Sequence, residues 1–216
     1  MAARERLILV GAGGFGREVY FWAGDCHAAG TLPPLAGYID DVVQELPGYD
    51  LPRLAGLQDY TPAPGDLFVV ALGVPAKKRR VVELLQARGA RFATLRHPTA
   101  TVVRTASIGE GVILCPYTMA LPDTRIERFV TLNNYSGFGH DSVCGEFTTV
   151  SSMVDVTGYV RIGRDVLIGS GARLLPKVTI GDGATIGAGS IVVRSVKPNM
   201  TVFAAPAKLL SMKPKS

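Results

Sequence analysis

"IGRDVLIGSGARLLPKVTIGDGATIGAGSI", residues 162–191, repeats on a beat of six. Cut at every sixth residue it reads IGRDVL, IGSGAR, LLPKVT, IGDGAT, IGAGSI. The first place is always a large aliphatic residue, and the fifth is small or β-branched. Extended outward, the frame runs without insertion from Val102 to Lys197, through VVRTAS, IGEGVI, LCPYTM, ALPDTR, IERFVT, LNNYSG, FGHDSV, CGEFTT, VSSMVD and VTGYVR, and ends on VVRSVK. The first place is apolar in every hexad, with Ala120 and Cys144 its smallest members.

The period has a physical reading. The fifth place of one hexad lies two residues before the first place of the next. In a strand, residues two apart face the same side. Both therefore point inward, one small and one large. The third and fourth places are rich in Gly, Pro, Asp, Asn and Ser, which suit corners. A strand and a corner every six residues make a three-sided prism, with one coil per eighteen. Strands stacked about 4.8 Å apart give five coils a length of about 25 Å. The expectation is a parallel β-helix, a solenoid in which each coil touches its neighbours.

Residues 1–95 follow a different grammar. "RLILV" (6–10) is a short continuous apolar run, as in a buried parallel strand. "GAGGFG" (11–16) follows, then a helix to about Ala28. "LAGYIDD" (35–41) and "DLFVVALG" (66–73) read as strands, "AKKRRVVELLQARG" (76–89) as a helix stopped by Gly89, and "RFATL" (91–95) as a last strand. The order β-α-β-β-α-β implies an α/β domain with a small parallel sheet, half of a Rossmann-like fold. The boundaries expected are 1–95 for this domain and 96–216 for the β-helix with its tail.

Composition narrows the function classes. Hydrophobic residues make up 47% of the chain, enough for a core. The net charge of +5 suits phosphate-bearing small molecules, and no basic stripe interleaved with aromatics points to nucleic acid. The run "AKKRR" (76–80) reads as a solvated helix face. Cys26, Cys115 and Cys144 are odd in number and lack metal-ligand spacing, so free thiols in a reducing cytoplasm are expected. The longest apolar run, 67–74, is too short to span a bilayer.

His140 and Asp141 occupy the third and fourth places of FGHDSV, a corner that projects outward. Eighteen residues on lies Gly158; Pro122 and Pro176 complete that edge. Gly158 would thus stand about 5 Å from His140 along the axis. A corner glycine leaves its N–H open to close approach. A base beside an open N–H suits acyl transfer, where one group takes the nucleophile's proton and the other steadies the oxyanion. The neighbouring edge, Ser152, Ser170 and Ala188, is lined by small side chains that could leave a groove.

In the first domain, Gly11, Gly13 and Gly16 fit G-x-G-x-x-G between a strand and a helix, with Gly14 inside the loop. That context places phosphates on a helix N-terminus. Asp40 follows Gly16 by 24 residues, close to the acidic position of a dinucleotide site. About 95 residues supply only half of the doubly wound fold, so a mononucleotide carrying a sugar fits better than a nicotinamide dinucleotide.

The hexads resemble the hexapeptide-repeat acyltransferases. Together, "GAGGFGREV", "HPTA" (97–100), the uninterrupted coils, "GHD" (139–141) and "AAPAKLL" (204–210) resemble bacterial sugar acetyltransferases of the PglD and NeuD type. That resemblance implies a left-handed prism and acetyl-CoA as co-substrate, with no metal. It implies N-acetylation of a nucleotide-linked amino sugar in surface-glycan biosynthesis, by a cytoplasmic homotrimer with sites between subunits. By the same resemblance His140 is the general base and Asp141 the acid beside it, while the Gly158 N–H binds the thioester carbonyl. Ser170 and "GAGS", with Gly187 and Ala188, approach the pantetheine. Gly11, Gly13 and Gly14 approach the diphosphate, Asp40 and Asp41 the nucleoside, Gly73 the pocket wall and Asn133 the acceptor sugar. The chain departs from the family in having Phe15 where many relatives have histidine and Ala204 where glycine is usual. His97 reads as structural and His27 as a surface residue.

Other readings use the same residues. O-acetylation of a sialic-acid-type sugar needs the same apparatus. A nicotinamide oxidoreductase needs a second half-sheet. A zinc enzyme on a prism needs three histidines, and only His140 lies among the coils. A non-catalytic scaffold needs no base at all.

Overall fold

A computed structural model describes residues 5–204. The first part is an α/β unit. Strands β1 (Arg6–Val10), β2 (Leu35–Ile39), β3 (Arg53–Ala55), β4 (Asp66–Val70) and β5 (Arg91–Phe92) form one parallel sheet in the order β3-β2-β1-β4-β5. Helix α1 (Gly14–Ala28) follows β1, and α2 (Pro75–Gln86) follows β4. β3 was not expected: "RLA" is three residues long and half-buried, with no apolar run to announce it. The neighbours of β1 are β2 on one side and β4 on the other. A crevice at the carboxyl end of a sheet opens where the strand order reverses in this way. The loops there are Gly11–Gly13 and Ala71–Val74, each leading into a helix N-terminus.

The second part is a three-sided prism of two-residue strands. One face has six strands, from Thr101–Val102 to Ile191–Val192; one has five, from Ser107–Ile108 to Thr179–Ile180; one has seven, from Leu95–Arg96 to Thr201–Val202. All pair in parallel with partners eighteen apart through most of its length, as in Ala120↔Phe138↔Val156↔Leu174. First places from Leu114 to Val192 are buried, as are fifth places from Val112 to Ser190. The core is therefore a column of one large and one small side chain per hexad.

The fourth place adopts the left-handed backbone in every hexad from IGEGVI to IGAGSI, glycine or not. Tyr117, Phe129, Tyr135, Phe147, Met153 and Tyr159 all sit near φ +60°. Bulky residues rarely tolerate this conformation. Here it turns the fourth N–H along the axis to the carbonyl of the preceding coil: Asp141 to Pro122 at 3.0 Å, Tyr159 to His140 at 3.0 Å, Lys177 to Gly158 at 3.2 Å. The bond offsets the strain.

Two expectations change at the ends. "RFATL" is not one strand: Arg91–Phe92 closes the α/β sheet, whereas Leu95–Arg96 pairs with Ile113–Leu114 and opens the prism. Leu95 lies eighteen residues before Ile113, so the repeat geometry already holds there. At the other end the last turn is two residues short. Val196 bridges Ile180, and Val202 pairs with Ile186. The VVRSVK hexad therefore leaves the register it follows by sequence.

The two parts share their cores. Phe129 and Phe147, stacked at 5.1 Å on one prism edge, pack with Phe92, Phe68, Val82 and Leu85. Ile113 and Cys115 join Leu7, Leu9 and Val19. The "AKKRR" helix face is not solvated throughout, because α2 lies on the prism: Lys78 is buried and Arg79 half-buried.

Candidate functional site

The corner at His140 is built by the repeat. The strand Gly137–Phe138 ends with Phe138 buried in the prism, which throws residues 140 and 141 outward. His140 is 56% exposed and Asp141 39%. The left-handed φ of 58° at Asp141 folds its carboxylate back, so that Nδ1 of His140 lies 2.8 Å from Oδ2. A carboxylate accepts, so Nδ1 carries the proton and Nε2 keeps its lone pair.

Nε2 faces Gly158. A Cβ built on Gly158 would fall 2.6 Å from it, closer than real atoms approach. Only glycine leaves the imidazole where it is. Among the described residues the Gly158 N–H donates to no backbone carbonyl, while its own carbonyl accepts from Lys177. Tyr159 meets the imidazole edge-on at 5.0 Å and donates its N–H to the His140 carbonyl. Sequence reasoning missed this contact, although Tyr159 lies eighteen residues after Asp141. The pair can serve acyl transfer: a lone pair to take a proton, and a free N–H one coil away to meet a developing oxyanion.

The other expected residues fall into two groups. Asn133 lies on the neighbouring edge, its Oδ1 taking the Asn134 N–H at 2.8 Å. Ser170 and Ala188 are exposed on that same edge. Gly187 stands against Phe203, whose Cβ leaves no room for a side chain there. The strand Gly137–Phe138 separates this edge from that of His140, so one chain does not bring them together. Of the closing "AAPAKLL", all but Ala204 lies outside the described residues.

The second group lines the crevice of the α/β unit. Gly11 has φ +90°, and Gly16 packs so closely on the Gly11 carbonyl that neither admits a side chain. Gly13 and Gly14 are exposed, and Gly13 caps α1 with no side-chain bond. The first N–H groups of a helix lack intrahelical partners, which makes this end a seat for phosphate. Gly73 is exposed just before α2. Asp40 is already engaged: Oδ2 takes the Ala12 N–H at 2.7 Å, and Oδ1 takes those of Val42 and Val43 at 2.7 and 2.8 Å. Its observed work is to tether the glycine loop. Asp41 is exposed and takes the Leu57 N–H through Oδ1 at 2.7 Å.

His97 is buried between Thr99 Oγ1 at 2.8 Å and Asp25 Oδ2 at 3.1 Å, joining α1 to the first coil. His27 is exposed at the end of α1. The three cysteines are buried free thiols, and the apolar surroundings push that of Cys144 up to about 12. Among the described residues no helix is long and apolar enough to cross a membrane.

Known proteins resemble this chain in sequence and fold. Residues 159–194 match the family described as bacterial transferase hexapeptide (six repeats). A GDP-perosamine N-acetyltransferase of Escherichia coli O157:H7 is 30% identical over 154 residues, 69% of this chain and 70% of that protein. The acetyltransferase domain of PglB from Neisseria gonorrhoeae FA1090 superposes with a TM-score of 0.85 at 29% identity, over 96% of this chain and all of that one. WeeI from Acinetobacter baumannii AYE superposes with a TM-score of 0.84 at 28% identity, over 95% of this chain and all of that one. The prism is thus a left-handed parallel β-helix preceded by an α/β unit, and the chain belongs to the hexapeptide-repeat sugar acetyltransferases of the PglD and NeuD type.

Proposed function

We propose that this chain transfers the acetyl group of acetyl-CoA to an amino group on a nucleotide-linked sugar. The observation that carries the reading is Nε2 of His140 lying against Gly158, with Nδ1 held by Asp141. The sugar nitrogen attacks the thioester carbonyl carbon while Nε2 takes the nitrogen's proton. The oxyanion that forms accepts the Gly158 N–H. The C–S bond then breaks, the amide remains, and the imidazolium returns its proton to the departing thiolate. Asp141 keeps the ring in the productive tautomer and balances its charge when protonated.

Acetyl-CoA lies along the small-residue edge of Ser170, Gly187 and Ala188. The diphosphate sits on Gly11, Gly13 and Gly14 at the start of α1, with Gly73 across the crevice and Asp41 nearer than Asp40 to the nucleoside. Asn133 meets the acceptor sugar. A nitrogen acceptor is favoured because the E. coli relative is named an N-acetyltransferase. The PglB domain has been solved in complex with acetyl coenzyme A, which supports the co-substrate.

The working form is a homotrimer in the cytoplasm. His140 and the Ser170 edge lie across a face from each other in one chain, so a second copy must bring them together. Tyr117, Tyr135, Met119, Met153 and Tyr159, about half-exposed or more, supply apolar surface for that contact along the same face and its two edges. Release of CoA from acetyl-CoA, followed with uridine, guanosine and thymidine diphosphate amino sugars, tests the reading. One acceptor should support turnover that His140→Ala abolishes. Turnover unchanged in that variant would remove the base from the mechanism.

A further inference from the structure

Lys78 is the one charged residue of the "AKKRR" run that the fold buries completely, at 1% exposure. Its Nζ donates to Thr131 Oγ1 at 3.0 Å, to Thr149 Oγ1 at 3.0 Å and to the Thr148 carbonyl at 3.3 Å. All three acceptors belong to the prism, on two successive coils. An ammonium group has three donors, so every one is used. No carboxylate is among its partners. The one carboxylate whose charge acts on it, Asp165, is held by Arg79 through two bonds of 2.9 and 2.7 Å, with Arg79 lying 4.1 Å over the Phe147 ring.

Burying an amine without an acid is costly, and an apolar side chain of the same size would stabilise the interface more. What lysine adds is direction. A methionine could slide across the threonine methyls, whereas three hydrogen bonds admit one position. The elements on either side give that position a consequence. Lys78 lies in the first turn of α2, its N–H bonded to Val74 at 3.0 Å, immediately after the Gly73 wall of the crevice. Thr131 begins the stretch that runs through Asn133 to His140. The nucleotide end and the amino end of one substrate rest on different parts of the fold, and Lys78 bolts those parts together.

We propose that Lys78 is a positioning residue, fixing the nucleotide crevice at one distance from His140. This rests on the acetyl-transfer reading given above. Errors of about 1 Å in substrate placement can cost a hundredfold in rate. Lys78→Met should therefore lower kcat/KM for the nucleotide-linked amino sugar by about tenfold to a hundredfold. The KM for acetyl-CoA should stay unchanged, as should the slower acetylation of a free amino sugar, which needs no crevice. Thr131→Val with Thr149→Val should reproduce the loss in the wild-type background and add nothing to Lys78→Met. A folded Lys78→Met enzyme with wild-type kcat/KM would overturn the proposal, and so would equal losses on nucleotide-linked and free sugars. Spin labels at exposed Arg80 and Arg161 give a second readout that needs no activity. Their distance distribution should broaden in Lys78→Met, and an unchanged width overturns the proposal. A wild-type chain inactive on every acceptor would instead sink the acetyl-transfer reading, with the label distances still deciding the role of Lys78.

Discussion

His140 and Gly158 touch across one coil: Nε2 occupies space that any side chain at 158 would enter, since a Cβ there would lie 2.6 Å away. Gly158→Ala should leave the prism intact, because the imidazole is half-exposed and can swing outward. The cost falls on chemistry. The base moves off its position and the N–H is screened, so kcat/KM should drop about a hundredfold to a thousandfold. Thermal unfolding and steady-state kinetics on the same sample check both halves.

Asp141→Asn separates charge from geometry. Asparagine tolerates the left-handed backbone that residue 141 adopts, so the corner should hold. Its amide can still accept from Nδ1–H but no longer balances an imidazolium. Both side chains are well exposed, and solvent screens the pair. The expected fall in kcat is therefore about tenfold, far below what a buried triad loses. Acetyl-CoA KM should not move.

Asp40→Asn should act at the other end of the substrate. Both carboxylate oxygens face backbone N–H groups, and an amide must turn its NH2 toward one of them. Leaving a donor unpaired costs about 1–3 kcal/mol. We expect a lower melting temperature and a raised KM for the nucleotide sugar, with acetyl-CoA KM unaffected.

Lys78 predicts a pH dependence of stability. Desolvation lowers its amine to about 7 in the folded chain, against about 10.5 when unfolded. The groups facing it are the Cys144 thiol, itself raised by burial, and Asp165, already paired with Arg79. Because the folded value is depressed, the unfolded chain binds more protons between about pH 7 and 10.5. Stability therefore rises with pH across that window, and the penalty is complete below it. Lys78→Met should be the more stable protein at pH 6, by a few kcal/mol, on the order of the shift involved. The gap should narrow by pH 9, as chemical denaturation at each pH would show.

The sequence disclosed the prism because its rule is local and repeats: one buried large residue and one buried small residue per six. The stack of His140 on Gly158 followed from counting eighteen. The strand Arg53–Ala55 did not, since three half-buried residues carry no periodic signal. Lys78 was hidden for a different reason. A lysine in a basic run gives no sign that a second part of the fold will cover it, and only the docking of α2 on Phe129, Phe147 and the threonines does so. Asp40 stood where a ribose ligand is expected, yet local turn geometry gave its oxygens to the backbone. The shortened last turn was equally silent, because VVRSVK keeps the apolar pattern while the pairing drops from eighteen residues at Val192 to sixteen at Val196.

The vertical pairing of residues eighteen apart also limits how this chain can change in length. One residue added within a face would turn the core side chains beyond it outward, so single insertions can survive only as loops budding from a corner, while the turn closed by Val196 and Val202 shows that two residues can drop out with the pairing kept. A domain bound by that arithmetic grows by duplicating its own turns, and each duplicate would present another outward-facing corner on which a new side chain could be tried.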